Sequence, residues 1–291
     1  MIVSVVLNAA LDVSYEVAGV VWDGPNEVPT PRHRAAGRGV TVARVLHTFG
    51  HEVSAAGLAG GATGELIRSD LASFGVPTDF TRTDRESRRI IWVRDTKRGT
   101  TACLREPAPY ITTEELGRFA GDYRRLVKDA TAVVLSGSLA AGLPPDIYAT
   151  LATYAADAGV PVVLNARGPA LRFGVARRPA LVIPDIESLG NAPPRVSELI
   201  EAGVGAVVVP YADGILAVSR GGQWQAHGVR LPSALDQGAL VAGLVPGLLL
   251  GWSWPDRLRH ALALAGAADA FGSIDIAGYE RYMAGVAVEP T

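Results

Sequence analysis

The chain has 291 residues, 48% of them hydrophobic and 19% charged, with a formal net charge of −2. That is length enough for one large α/β domain with a sizeable core, and too apolar for a disordered chain. No long run of one charge sign occurs, which argues against nucleic acid or an anionic membrane as a partner.

Cys103 is the one cysteine, which excludes an internal disulfide or zinc cluster and suits a reducing, cytoplasmic compartment. The opening Met1–Leu7 has neither a basic leader nor a small-residue cleavage site, so no export signal is expected there.

Short β-branched runs bounded by Gly, Pro or Ser predict buried strands at Ile2–Leu7, Val53–Leu58, Ala132–Leu135, Val162–Leu164, Leu181–Ile183 and Ala206–Val209. Apolar residues at helical spacing predict helices over Val40–Phe49, Glu65–Phe74, Thr113–Val127, Asp146–Ala156 and Ser197–Ala202. This alternation implies a mostly parallel sheet covered on both faces.

Two segments interrupt it. Val13–Val17 follows the first strand almost at once, and Arg89–Val93 with Thr100–Leu104 flank the turn-rich 95–99, a hairpin signature. These strands read as a small sheet at one edge, serving as a lid or dimer surface, or as an edge hairpin with no role. Later come two helices, Ala239–Gly251 and Pro255–Phe271. The apolar run Ala239–Trp252 is too short to span a bilayer and contains Pro246, so it reads as a buried helix.

Five blocks together carry a resemblance. They are Asn8-Ala-Ala-Leu-Asp12, Ala35-Ala-Gly-Arg-Gly-Val-Thr-Val-Ala-Arg44, Gly60-Gly-Ala-Thr-Gly64, Val133-Val-Leu-Ser-Gly-Ser-Leu139 and Gly142-Leu-Pro-Pro-Asp-Ile-Tyr148. In order and spacing they resemble the PfkB, or ribokinase-like, carbohydrate kinases, nearest the branch holding 1-phosphofructokinase and tagatose-6-phosphate kinase. The resemblance implies a single three-layer α/β/α domain over residues 1–291, with a small β-lid of strands near 13–17 and 88–105. It also implies a transferase ancestry in which Mg-ATP phosphorylates a sugar hydroxyl.

On the sugar side the resemblance assigns Asp12 to holding sugar hydroxyls, a task that suits a carboxylate able to accept two hydrogen bonds. Gly37 and Gly39 would let the backbone approach a ligand. Arg38 stands where the family has lysine, keeping the charge with a planar head; Thr41 replaces an asparagine. Arg88 falls on the lid arginine, Arg105 stands where the branch has asparagine, and Ser138 falls on the serine of S-G-S-L. Arg38, Arg88 and Arg105 together form a candidate sugar-phosphate site.

On the nucleotide side the family pattern fails. G-A-G-D-A-L-V-A-G aligns with Leu235-Asp-Gln-Gly-Ala-Leu-Val-Ala-Gly243, so Gly238 takes the place of the catalytic aspartate, and Leu235 and Gln237 take those of the anion-hole glycines. Loss of a general base costs about 100- to 10,000-fold in rate. The K-P-N-x-x-E motif reads Ile183-Pro-Asp185-Ile-Glu-Ser188; S-L-G-A-D-G reads Val209-Pro-Tyr211-Ala-Asp-Gly214; D-T-S-G reads Asn165-Ala-Arg-Gly168. Tyr211 and Leu235 are expected to fill the room that ATP phosphates need.

The expected protein is a sugar-phosphate-binding homodimer, paired through its lid strands. It has no cofactor and no metal, and has lost ordinary phosphotransfer, whether as a pseudokinase or as a repurposed enzyme. The alternative is an active kinase of 1-phosphofructokinase type that uses Mg-ATP with Asp236 as a relocated base.

Overall fold

A computed structural model of the chain describes residues 1–184, 196–211, 213–231, 237–269 and 272–291. The first third runs β1 (Ile2–Val6), β2 (Ala10–Val17), β3 (Arg32–Ala36), α1 (Arg38–Thr48), β4 (Val53–Gly60), α2 (Gly61–Ser73), β5 (Thr78–Thr83), β6 (Arg88–Asp95) and β7 (Thr100–Arg105). Next come α3 (Thr113–Leu126), β8 (Ala132–Ser136), α4 (Ile147–Asp157), β9 (Val162–Asn165), α5 (Gly168–Val175), β10 (Leu181–Val182) and α6 (Val196–Glu201). The remainder is β11 (Ala206–Tyr211), β12 (Gly214–Ser219), β13 (Gly222–His227), α7 (Gly238–Leu250), α8 (Trp254–Ala267), α9 (Ile276–Gly285) and β14 (Ala287–Pro290).

Among the described residues, ten strands form the main sheet in the order β14-β13-β12-β11-β10-β9-β8-β1-β4-β5. Pairing is parallel from β5 to β11 and antiparallel from β11 to β14. Strand alternation sends Ile2 and Val6 into one core cluster, with Val40 of α1, Ile67 of α2, Leu240 of α7 and Leu262 of α8. Val3, Val5 and Leu7 enter the other, with Phe119 of α3, Leu151 of α4, Leu171 of α5 and Ile200 of α6. Helices therefore cover both faces, and the fold is the ribokinase-like α/β/α sandwich.

A second, four-stranded sheet has the order β3-β2-β6-β7. Leu11, Val13 and Ile91 turn one of its faces onto the first core cluster. The hairpin register, from Ile90 opposite Arg105 to Asp95 opposite Thr100, places the turn at residues 96–99. Asp95 organises that turn by accepting from the backbone N–H groups of Val20, Lys97 and Arg98, which hold its carboxyl down to about 2.

The sequence-predicted strands and helices are present with shifted ends. The spacing did not predict β3, β5, α5, α9 or the antiparallel strands β12–β14. The helix α7 is buried along Gly238–Gly247 and contains Pro246, as its composition predicts. Among the described residues no helix is long and apolar enough to cross a membrane.

Candidate functional site

The cleft lies where the carboxyl ends of β1, β8 and β9 meet the second sheet and the amino ends of α1 and α7. On the lid side, β2 pairs Ala10 with Arg88 and Asp12 with Ile90, and β6 pairs Ile90 with Arg105. Residues paired or two apart share a face, so Asp12, Arg88 and Arg105 stand on one side of the sheet. Burial lowers the Arg88 guanidinium from its usual value; Arg105 pushes the same way and Asp12 opposes both. Asp12 is buried and Arg105 exposed, which grades the face from cleft wall to rim.

Arg88 is fixed from behind. Ser87 Oγ accepts from Gly60 N at 3.0 Å, Ser87 N donates to Gly60 O at 2.9 Å, and Glu86 Oε1 accepts from Thr63 N at 2.5 Å. Those hydrogen bonds at the start of α2 hold the Glu86 carboxyl below its usual range, so it remains anionic.

At the end of β1, Asn8 Nδ2 donates to Ser138 Oγ at 3.0 Å and to the Leu139 carbonyl at 3.4 Å. Ser138 is thereby brought to the cleft. Asn8, the first letter of the N-A-A-L-D block, was not singled out from sequence, although that block contained it.

The two glycines differ in what requires them. Gly37 has φ +121°, which needs glycine, and a Cβ there would stand 3.5 Å from Val6 Cγ1. A Cβ at Gly39 would lie 2.7 Å from the Val5 carbonyl oxygen, so this glycine serves the packing of α1 on β1.

Arg38 is the first residue of α1. Its Nη1 donates to Asn165 Oδ1 at 3.3 Å, at the end of β9. Asn165 is fully buried and uses both heads twice: Oδ1 also accepts from Ser136 Oγ at 3.0 Å, and Nδ2 donates to the Ile183 carbonyl at 2.9 Å and to Gln237 Oε1 at 2.7 Å. Arg88 and Arg105 thus share the lid face, while Arg38 bonds Asn165, which in turn bonds Gln237.

Gly238 opens α7, the position the family pattern gives to the base. A Cβ there would meet Thr41 Cβ at 2.5 Å, Thr41 Cγ2 at 2.7 Å and the Arg38 carbonyl oxygen at 2.9 Å. Gly272 is equally close, its Cβ position 2.7 Å from Thr41 Cγ2. Thr41 is buried between these glycines. Its Cβ and Cγ2 fill the space that a side chain at 238 would need. The substitutions at 41 and 238 therefore fit one another.

Tyr211 Oη accepts from Gln225 Nε2 at 2.7 Å and donates to the Ala226 carbonyl at 3.4 Å, which ties its ring along the β11–β13 hairpin. Asp185, Ser188, Leu235 and Asp236 lie outside the described residues. Among the described residues no group of three His, Cys, Asp or Glu side chains is placed to hold a metal. With glycine at 238, the described residues place no carboxylate at the position that the family pattern gives to the base.

A βα sandwich with a small sheet over the carboxyl ends of its strands is the architecture of ribokinase-like sugar kinases. The family of pfkB carbohydrate kinases matches residues 4–268, and the chain belongs to it. A Thermotoga maritima structure described as a possible 1-phosphofructokinase is 22% identical, with TM-score 0.85, covering 100% of this chain and 99% of that one. Escherichia coli phosphofructokinase-2 in complex with fructose-6-phosphate is 22% identical, with TM-score 0.84, covering 97% and 98%. The tetrameric inhibited form of that enzyme gives 22%, 0.85, and the same coverage.

Proposed function

We propose that this pfkB-family protein binds a phosphorylated sugar or polyol between Asn8, Asp12, Arg88 and Arg105 and has lost ordinary ATP-dependent phosphotransfer. The observation that carries this reading is at Gly238. Glycine accepts no proton, and Thr41 with the Arg38 carbonyl occupies the space a side chain would need. Meanwhile Asp12 and the two lid arginines remain together on the sugar side. Pairing through the lid belongs to the same proposal: β7 is an edge strand with every residue exposed, and Ile90, Trp92 and Val93 are only half-buried.

The whole-chain likeness to phosphofructokinases favours a second reading at least as well: an active kinase of 1-phosphofructokinase type, with Mg-ATP and Asp236 as its base. Thermal denaturation separates the two. Ligand at 100 times its Kd adds about 2.7 kcal/mol to the folded state. The first reading expects such stabilisation from fructose 6-phosphate or fructose 1-phosphate and none from millimolar Mg-ATP. Stabilisation by Mg-ATP together with product formation supports the second.

A further inference from the structure

At the ends of α1 and α7 remote from the cleft, Trp252, Asp256, His260, Tyr279 and Met283 line a cavity of about 400 Å³. That volume suits a small organic ligand. Both helices begin in the cleft, at Arg38 and Gly238, and α7 runs 13 residues, about 20 Å. The cavity is therefore separate from the sugar side, and what it binds is independent of the reading above.

Its walls are pre-formed. His260, on α8, stands edge-to-face with Phe49 at the end of α1, Trp252 after α7 and Tyr279 on α9, at interplanar angles of 85°, 77° and 89°. Phe49 and Tyr279 meet at 72°. Such aromatic pairs are favourable beyond the area they bury, so the rings hold these positions without a ligand. Met283 adds a polarizable thioether, suited to contact with an aromatic ring.

The fold leaves one polar group of this cavity half-used. His260 is 6% exposed, and its Nδ1 bonds Tyr279 Oη at 2.7 Å. Its other nitrogen, Nε2, has no partner among the described residues and opens on the cavity that His260 lines. A buried polar head costs free energy unless it is hydrogen-bonded, so this one selects a ligand that can pair with it.

The charges nearby narrow the chemistry. Burial, with a smaller push from His51, keeps the imidazole neutral at neutral pH, so it attracts no anion. Asp256, exposed at the mouth, already accepts from Ser253 Oγ at 2.6 Å and from Arg259 Nη1 at 3.3 Å. Both its oxygens are engaged, which leaves little for a cation. A hydroxyl fits His260 in either tautomer. Where Tyr279 donates to Nδ1, the Nε2–H donates to the hydroxyl oxygen; where Nδ1–H donates to Tyr279, Nε2 accepts from the hydroxyl.

We infer that this cavity is a binding site for a small hydroxylated aromatic molecule of the phenol type. Its ring lies among Trp252, Tyr279 and Met283, and its hydroxyl pairs with His260 Nε2.

The test titrates the full chain, carrying isotope-labelled histidine, with phenol, with toluene and with benzylamine, followed by NMR. Toluene has nearly the shape of phenol without its hydroxyl. Phenol is expected to saturate one site and to move the His260 Nε2 resonance, whereas toluene in the same cavity should leave that nitrogen nearly unmoved. His260→Leu should lower the phenol-to-toluene affinity ratio about tenfold, the factor that one buried hydrogen bond supplies. Comparing the ratio between the two proteins cancels the unequal hydration of the probes. Should the variant not fold, the wild-type Nε2 response decides alone. The proposal is overturned by no saturable binding of phenol, or by an equal Nε2 response to phenol and toluene. Benzylamine binding tighter than phenol also overturns it, and assigns the cavity to a cation at Asp256.

Discussion

Replacing Gly238 by alanine isolates the packing that excludes a base from this site. In open space a helical glycine-to-alanine change stabilises by about 0.5–1 kcal/mol. At 238 the new methyl would lie 2.5 Å from Thr41 Cβ and 2.9 Å from the Arg38 carbonyl oxygen, and one of these is backbone. Forcing an extra methyl into such packing costs about 1–3 kcal/mol. The balance is a loss of up to about 2.5 kcal/mol, or a Tm lowered by up to roughly 10 °C in a large domain. Gly117→Ala and Gly121→Ala in α3 are the controls, because nothing stands within 4 Å of a Cβ at either. Both should raise stability in urea or thermal denaturation. A Gly238→Ala protein at least as stable as wild type refutes the reasoning. An aspartate at 238 meets the same atoms, so reversion of that single position is expected to restore no activity.

Two further outcomes follow from buried charge. Arg44 is 1% exposed and ion-paired with Asp70, which also accepts from Ala35 N of the lid strand β3; Asp70→Ala should cost about 3–5 kcal/mol by chemical denaturation, since it strands a buried cation. His260 bonds Tyr279 Oη through Nδ1 at 2.7 Å, and burial, with a smaller push from His51, lowers it to about 4. Its folded value is below the unfolded one, so the stability it contributes is complete above about pH 6.5 and lost as pH falls towards 4, on the order of 3 kcal/mol. Stability curves of wild type and His260→Gln across that window check it: the variant should show a flatter acid limb.

Much of the fold was legible because β-branched runs such as Ile2–Leu7 and Val133–Leu135 satisfy burial on both faces, and such runs are rare outside parallel strands. Strand β3, Arg32-His-Arg-Ala-Ala36, was not, because its residues carry no β signal and its pairing with β2 is tertiary. The β12–β13 hairpin carried its signal in Arg220-Gly-Gly222, and α5 carried proline next to its opening glycine; both went unread. On the sugar side, motif order located Asp12, Arg88 and Ser138, and the register brought Arg105 to the same face. Motifs could not show that Arg38 turns to Asn165 or that Thr41 fills the space at Gly238. Both are contacts between segments far apart in sequence, made by side chains that no local pattern couples.

The most direct measurement is transfer of the γ-phosphoryl group from labelled Mg-ATP to fructose 6-phosphate, fructose 1-phosphate or tagatose 6-phosphate, run on wild type and Asp236→Asn with enzyme in excess of sugar. The account predicts no labelled sugar above the enzyme-free control in either protein. Labelled product from the wild type that disappears in Asp236→Asn contradicts it and establishes the kinase with a relocated base.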